Sequence, residues 1–382
     1  MSARRNVLVV ARHPVGGIKT YFKYVYTNEL FREFNFTLIV PRADDNSYFF
    51  SVFEGGEFQC IETDVTHAAF ISSIIRALAS GKYDLLHTHG FTAGLLSALP
   101  ARMTRVPHIM TAHDVLLPWQ FRGLKGRAKK AVIGGLFQLI DVLMAVGQDA
   151  RQNLEANYPW LTGSRKLAAV RNGIDVERFR VGSKRDLKAE LGLAPDTILF
   201  GFFGRFMSQK GFRYLVDAVE LIKKKEPSLN LKVATFGWGG FIREEQQAIK
   251  ERGLESSFYF MPHTDDMPAA IRGVDAVVMP SQWEACPLLP MEAMVAGVPV
   301  IGSDCIGLNE VLLDTPARIF KSGDVNTLVD ALLDFTQNRD LFISTARTFV
   351  GEASARFDCQ ISAEGLMDLY ESALALGKVV TV

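Results

Sequence analysis

Short apolar runs rich in β-branched and aromatic residues alternate with helical stretches along the whole chain, and this alternation is the strongest constraint on its fold. In the first half the runs are Asn6–Ala11, Phe36–Val40, Tyr83–His87, His108–His113, Asp141–Val146 and Lys166–Val170. In the second they are Ile198–Gly204, Leu231–Gly237, Phe258–Met261, Ala276–Pro280, Pro299–Ser303 and Ala317–Phe320. Near-continuous apolar strands separated by helices belong to parallel sheets covered on both faces. Two such series predict an α/β chain of two doubly wound, Rossmann-like domains facing one another across a cleft. A length of 382 residues also fits two domains better than one. The charged, strand-poor stretch Arg178–Asp186 is the expected linker, dividing the chain into 1–180 and 181–359. The last segment, from Gln360, reads as a helix with Leu366, Leu369, Tyr370 and Leu374 on one apolar stripe.

A hydrophobic content of 48% with 22% charged residues is that of a soluble globular enzyme. The longest apolar runs, such as the one from Ala131 to Phe137, stop well short of the ~20 residues of a membrane span. The N-terminal run reads as a first strand and not as a signal peptide. Cys60, Cys286, Cys305 and Cys359 are scattered without a C-x-x-C pair, which argues for a reducing, cytoplasmic setting and against structural zinc. Net charge is zero, but residues 1–180 hold 22 basic and 15 acidic side chains, and the remainder holds the opposite imbalance. The two halves therefore face different partners. Nucleic acid is not among them, because the basic residues do not interleave with aromatics in a stripe.

The stretch from Pro280 to Asp304, PSQWEACPLLPMEAMVAGVPVIGSD, carries two glutamates eight positions apart, Glu284 and Glu292. The chain leaves an apolar strand, passes Glu284 in a loop and enters a helix at about Pro290, a residue suited to a first helical turn. Glu292 then lies beside backbone amides of Leu288 and Leu289 that can take a phosphate. Carboxylates repel phosphate, so these two are read as acceptors from hydroxyls. A sugar nucleotide offers both hydroxyls and a diphosphate. After the strand Ile198–Gly204 come Arg205 and Lys210, a fork and a point charge for adjacent phosphates. Gly16 and Gly17 follow the first strand at a helix start, where the backbone can approach an anion. Neither loop is a G-x-G-x-x-G or a Walker A motif.

His13, His87, His89 and His113 end first-half strands or lie near them. The H-x-H pair lacks a third ligand of convincing spacing, so His87 and His89 are read as buried capping residues. His113 closes a strand, where an imidazole can donate a hydrogen bond or brace a developing charge. Asn172–Gly173 is either a turn at the domain boundary or a ligand contact. The Gly237–Gly240 loop, GWGG, is a candidate for approach to a nucleoside.

These motifs resemble the retaining GT-B glycosyltransferases of glycosyltransferase family four. The matching features are the two-glutamate segment with its MEAMVAG-PV continuation and Asp304, the G-R-x-x-x-x-K-G pattern at Gly204–Gly211, the early glycine pair, His113 and the N-G-I-D turn. The resemblance implies that Glu284 contacts the donor sugar, Glu292 the ribose hydroxyls, and Arg205 with Lys210 the donor diphosphate. It implies that Gly16 and Gly17 approach the donor phosphates, and that His113 lies near the donor sugar. Glu284, His113, Arg205 and Lys210 are thereby the catalytic set. Pro287 departs from the glycine common in the family and removes an amide donor, so backbone contacts there fall to Cys286, Leu288 or Leu289. The implied reaction is front-side transfer with retention and without a metal or other cofactor, and the last helix is expected to pack back on the first domain.

Two other classes share much of this pattern. A non-catalytic nucleotide-sugar-binding protein would keep Arg205, Lys210 and Glu292 without needing Glu284 or His113, and a GT-B-fold sugar-nucleotide epimerase would react with donor alone. The acceptor is expected to be a carbohydrate or a lipid-linked saccharide. Between Phe121 and Ile140, Arg122, Lys125, Arg127, Lys129 and Lys130 occur with no acid and run into apolar residues. This is read either as a core helix with a snorkelling basic end or as a peripheral contact with an anionic membrane.

Overall fold

The computed structural model describes residues 4–43, 46–53 and 57–378, which form two compact units. The first comprises Met1–Gly173 with Cys359–Val382, and the second Ile174–Asp358.

The first unit is built on seven parallel strands: β1 (Arg5–Ala11), β2 (Phe34–Pro41), β3 (Phe58–Thr63), β4 (Leu85–His89), β5 (His108–Ala112), β6 (Val142–Ala145) and β7 (Leu167–Ala169). Their spatial order is β3-β2-β1-β4-β5-β6-β7. Because side chains alternate along a strand, Val7 and Val9 of β1 face one apolar cluster with Phe22, Phe31, Phe36 and Leu366, whereas Leu8 and Val10 face another with Phe70, Ile74 and Leu86. Both faces are covered, as continuous apolar runs require. The final helix, Cys359–Lys378, buries Leu366 and Tyr370 completely within the first cluster. Full burial of one such side chain is worth about 1.5–3 kcal/mol, and this helix buries several.

The second unit holds six parallel strands: β8 (Ile198–Phe203), β9 (Leu231–Phe236), β10 (Phe258–Met261), β11 (Ala276–Met279), β12 (Val300–Ser303) and β13 (Arg318–Phe320), in the order β10-β9-β8-β11-β12-β13. In each unit the order reverses once, between β1 and β4 and between β8 and β11. Loops leaving the carboxyl ends of strands at such a reversal form a crevice in which open α/β sheets bind ligands.

Three expectations need correction. The expected boundary at 180/181 falls instead at 173/174. The reason is a short helix, Val176–Arg180, capped by Asp175, which buries Phe179 and joins the second unit through a hydrogen bond from Arg178 Nη2 to Asp265 O at 3.1 Å. Strand β3 was not expected: its residues are mostly half-exposed at the sheet edge and lack a continuous apolar run. Strand β4 reaches His89 instead of ending at His87, because both histidines find hydrogen-bond partners inside the unit.

Candidate active site

The second unit brings Lys210 and Glu284 together by joining two loops backbone to backbone. Beyond β8 a short turn, Ser208–Lys210, ends at Gly211 with φ 65°, and the helix Phe212–Lys225 follows. A Cβ on Gly211 would lie 1.9 Å from the carbonyl oxygen of Pro280, so only glycine lets this turn meet the loop after β11. The amide of Gln282 donates to Gln209 O at 2.7 Å, and Gln209 Nε2 donates to Trp283 O at 3.0 Å. Lys210 Nζ then stands 2.7 Å from Glu284 Oε1, and Ser281 Oγ donates to the same oxygen at 2.8 Å. Glu284 is only 5% exposed, so its charge depends on these two partners. Its backbone is fixed as well, the amide donating to Ile306 O at 2.9 Å.

Glu292 occupies the first turn of the helix Leu289–Val295, with Pro290 beside it, and is 8% exposed. Its amide donates to Leu288 O at 2.9 Å. Among the described residues the amides of Leu288 and Leu289 donate to no protein acceptor, which leaves two N–H groups for a ligand. Cys286 and Leu288 are buried. Arg205 is half-buried, its guanidinium 6.0 Å from the Trp238 ring centroid, and it forms no ion pair among the described residues. Trp238 belongs to the GWGG loop, which packs on the Arg205 loop: Phe206 N donates to Trp238 O at 2.9 Å, and a Cβ on Gly237 would meet Gly204 O at 1.8 Å. One cation of the motif is thus internally neutralised and the other is available.

In the first unit, Gly16 (φ 56°) precedes the helix Gly17–Tyr26, and a Cβ on Gly17 would touch nothing within 4 Å. One turn along, Tyr21 packs edge-on against the His113 ring with centroids 5.0 Å apart. His113 follows β5 directly, and its Nε2 lies 2.9 Å from His89 Nδ1. Burial pushes the His113 pKa down to about 3, although part of the residue still meets solvent. His87 and His89 are buried as expected, but they are interior strand residues and not caps. Tyr26 OH lies 2.8 Å from both His87 Nδ1 and His89 Nε2, and burial holds both rings well below the usual imidazole range. His13 is exposed and stands outside this cluster. Asn172 is buried, its amide donating to Val146 O at 3.1 Å. Among the described residues no three His, Cys, Asp or Glu side chains gather as a metal site.

No motif marks Ser281, Gln209 or Tyr26 as functional, and the sequence marks Tyr370 only as part of an apolar stripe. Ser281 lies inside the two-glutamate segment, three residues before Glu284, and that proximity was its one signal. The tyrosines carried no functional signal, because their partners are distant in sequence.

The family model for Glycosyltransferase Family 4 matches residues 15–178, and that for Glycosyl transferases group 1 matches residues 197–338. The chain belongs to the family 4 glycosyltransferases. Relatives of this glycosyltransferase include the D-inositol 3-phosphate glycosyltransferase of Nocardia farcinica, 29% identical over 84% of this chain and 74% of the relative. Another is the Escherichia coli UDP-Gal:alpha-D-GlcNAc-diphosphoundecaprenol alpha-1,3-galactosyltransferase, 25% identical over 71% of each chain. In fold the glycosyltransferase is similar to Anabaena HepE in complex with UDP-glucose, with TM-score 0.80, 19% identity, and coverage of 96% of this chain and 99% of that one. It is similar also to WaaG, a glycosyltransferase involved in lipopolysaccharide biosynthesis, with TM-score 0.74, 15% identity, and coverage of 95% and 99%. The enzyme is thus a glycosyltransferase with two parallel-sheet, Rossmann-like units of the GT-B type.

Proposed function

We propose that this enzyme transfers a sugar, with retention of anomeric configuration, from a nucleoside diphosphate sugar to an acceptor hydroxyl in bacterial cell-surface polysaccharide or glycolipid synthesis. The observation that carries the reading is the grouping at the β8/β11 reversal: an available Arg205, the Lys210–Glu284 pair, and Glu292 next to two unused amides. Such a group offers cations and N–H donors to a diphosphate and carboxylates to hydroxyls. Glu292 accepts from the ribose, Glu284 from the donor sugar, and Arg205, Lys210 and the amides of Leu288 and Leu289 take the diphosphate. Gly16 and Gly17 approach the phosphates and His113 the sugar.

In the step itself the acceptor oxygen bonds to the anomeric carbon as the bond to the β-phosphate oxygen breaks. The acceptor proton passes to the departing phosphate, and the negative charge gathers beside Arg205 and Lys210. Stabilisation by fixed cations and amides does the work otherwise supplied by a divalent ion, and the reading includes no metal and no other cofactor.

A lipid-linked acceptor agrees with the undecaprenol-linked substrate in one relative's name. It agrees too with a feature of the helix Gly123–Leu139. Leu124 (82% exposed), Ala128 and Val132 form a solvent-facing row at i, i+4 and i+8, flanked by Lys125, Arg127 and Lys129. An apolar row between cations suits an anionic membrane surface, and no described helix is long and apolar enough to cross a membrane. Peripheral attachment on the cytoplasmic face is therefore part of the proposal.

The test is a panel of UDP-, GDP- and ADP-sugars read first by thermal shift and then by transfer to candidate acceptors. A ligand at 100 times its dissociation constant stabilises by about 2.7 kcal/mol. Stabilisation by one nucleotide series followed by transfer supports the reading. Binding without transfer to any acceptor supports a binding protein, and conversion of the donor alone supports an epimerase.

A further inference from the structure

Behind His113 runs an unbroken line of buried hydrogen-bonding side chains. Thr111 Oγ1 lies 2.7 Å from His87 Nε2, and His87 Nδ1 lies 2.8 Å from Tyr26 OH and 2.9 Å from Tyr370 OH. Tyr26 OH lies 2.8 Å from His89 Nε2, and His89 Nδ1 lies 2.9 Å from His113 Nε2. Thr111, His87, Tyr26, Tyr370 and His89 are each no more than 2% exposed. Burial lowers the pKa of all three imidazoles, so each is neutral near pH 7. A neutral imidazole donates through one nitrogen and accepts at the other. The direction of donation at one end of the line therefore fixes it at the other.

Two directions are open. In the first, Thr111 donates to His87 Nε2, His87 Nδ1–H is shared by the two tyrosine oxygens, Tyr26 donates to His89 Nε2, and His89 Nδ1–H donates to His113 Nε2. In the second every bond is reversed. Thr111 must then turn its proton to Met144 Sδ at 3.5 Å, and both tyrosines compete for the single lone pair of His87 Nδ1. Sulfur is a weak acceptor, whereas an N–H shared between two oxygens is a common arrangement. The first direction satisfies every contact shorter than 3 Å, and the second does not.

We infer that Thr111, His87, Tyr26 and His89 are positioning residues that fix the tautomer of His113 with its proton on Nδ1, so that Nδ1–H donates to an oxygen of the bound donor sugar. Nδ1 is the His113 ring nitrogen that has no protein partner among the described residues. The inference rests on the proposed role of His113 at the sugar.

The test uses the whole ligand-free protein labelled with ¹⁵N-histidine, with His113 assigned by loss of its signals in His113→Gln. Long-range nitrogen–proton correlation at pH 7.5 should show His113 protonated at Nδ1. Tyr26→Phe cuts the line and should move His113 to the Nε2-protonated form or to an average of the two. Tyr370→Phe leaves the line from Thr111 to His113 whole and should keep Nδ1–H. Thr111→Val removes the donor at the head of the line and repeats the test should Tyr26→Phe misfold. A wild-type His113 protonated at Nε2, or a folded Tyr26→Phe protein with an unchanged His113 tautomer, would overturn the relay. Turnover then tests the reading beneath it: Tyr26→Phe should lower kcat at least tenfold with little change in KM. A shifted tautomer with undiminished kcat would leave the relay standing and remove His113 from the reaction.

Discussion

Lys210 and Glu284 are 74 residues apart in sequence, yet their charged atoms lie 2.7 Å apart at the loop ends of adjacent strands. Neither side chain is more than 22% exposed. Removing one partner of such a pair leaves the other without compensation, which is the costly half of burying an ion pair. The pair also means that Lys210 cannot be assigned to phosphate and Glu284 to sugar as independent parts. A diphosphate that draws Lys210 toward itself loosens Glu284 at the same time.

Glu284→Ala should therefore lower turnover while leaving nucleoside diphosphate affinity equal or higher, because it releases a cation. Glu292→Ala should weaken that affinity, since a ribose contact acts in ground and transition states alike. Calorimetric titration with UDP and the other nucleoside diphosphates separates the two. Equal losses of affinity in both variants would show that the division of roles is wrong.

Arg205→Ala and Lys210→Ala should each cost roughly 2–4 kcal/mol of transition-state stabilisation, the scale for one preorganised donor at developing charge. Measured kcat/KM gives this directly. Activity should also survive EDTA, and its loss on chelation with recovery in Mg²⁺ or Mn²⁺ would overturn the metal-independent account.

The motifs named most of the residues around this pair, but not the contacts between them. The twelve expected strands are all present because a parallel strand covered on both faces must be apolar along its length, as in Val7–Ala11 and Ile198–Phe203. Strand β3 escaped because an edge strand needs no such run. The pairing of Lys210 with Glu284 depends on Gly211 and Pro280 meeting in space, and no local pattern encodes that. The extension of β4 to His89 likewise depends on Tyr26, a residue from a helix more than sixty positions earlier.

Gly211→Ala should be among the most damaging single-methyl changes in the second unit. Its φ of 65° is unfavourable for any other residue, and the added carbon would strike Pro280 O. Overpacking of this kind costs about 1–3 kcal/mol, with backbone strain adding to it. The expected result is a lower denaturation midpoint together with impaired nucleotide binding, since the same contact seats Lys210. Wild-type stability in this variant would show that the two loops are not locked as described.

Acid should weaken the first unit. His108 and His113 have pKa values near 3 through burial, against about 6.5 when unfolded. The unfolded chain thus binds protons that the folded chain refuses. Stability is fully present above pH 6.5 and is lost as pH falls from there toward 3, by up to about 1.4 kcal/mol per pH unit for each histidine. Hydrogen exchange at pH 5 and pH 7, corrected for intrinsic rates, should show reduced protection of β4 and β5. Equal protection at the two pH values would mean that these rings do not remain neutral in the folded state.

Replacing Lys125, Arg127, Lys129 and Lys130 together with glutamine should abolish salt-sensitive binding to anionic liposomes, at about 1 kcal/mol per cation. Flotation at low salt provides the measurement. Equal recovery of the unaltered protein with neutral and anionic liposomes would remove the membrane from the account and favour a soluble acceptor.

Transfer with retention from a nucleoside diphosphate sugar is legible in the configuration of the product. Proton NMR of the purified product, made from the donor that stabilises the enzyme and its accepted acceptor, reads the anomeric coupling constant. Retaining transfer gives the same anomeric configuration as in the donor, formed in step with one equivalent of nucleoside diphosphate. An inverted product, or a changed nucleotide sugar formed without acceptor, would contradict it.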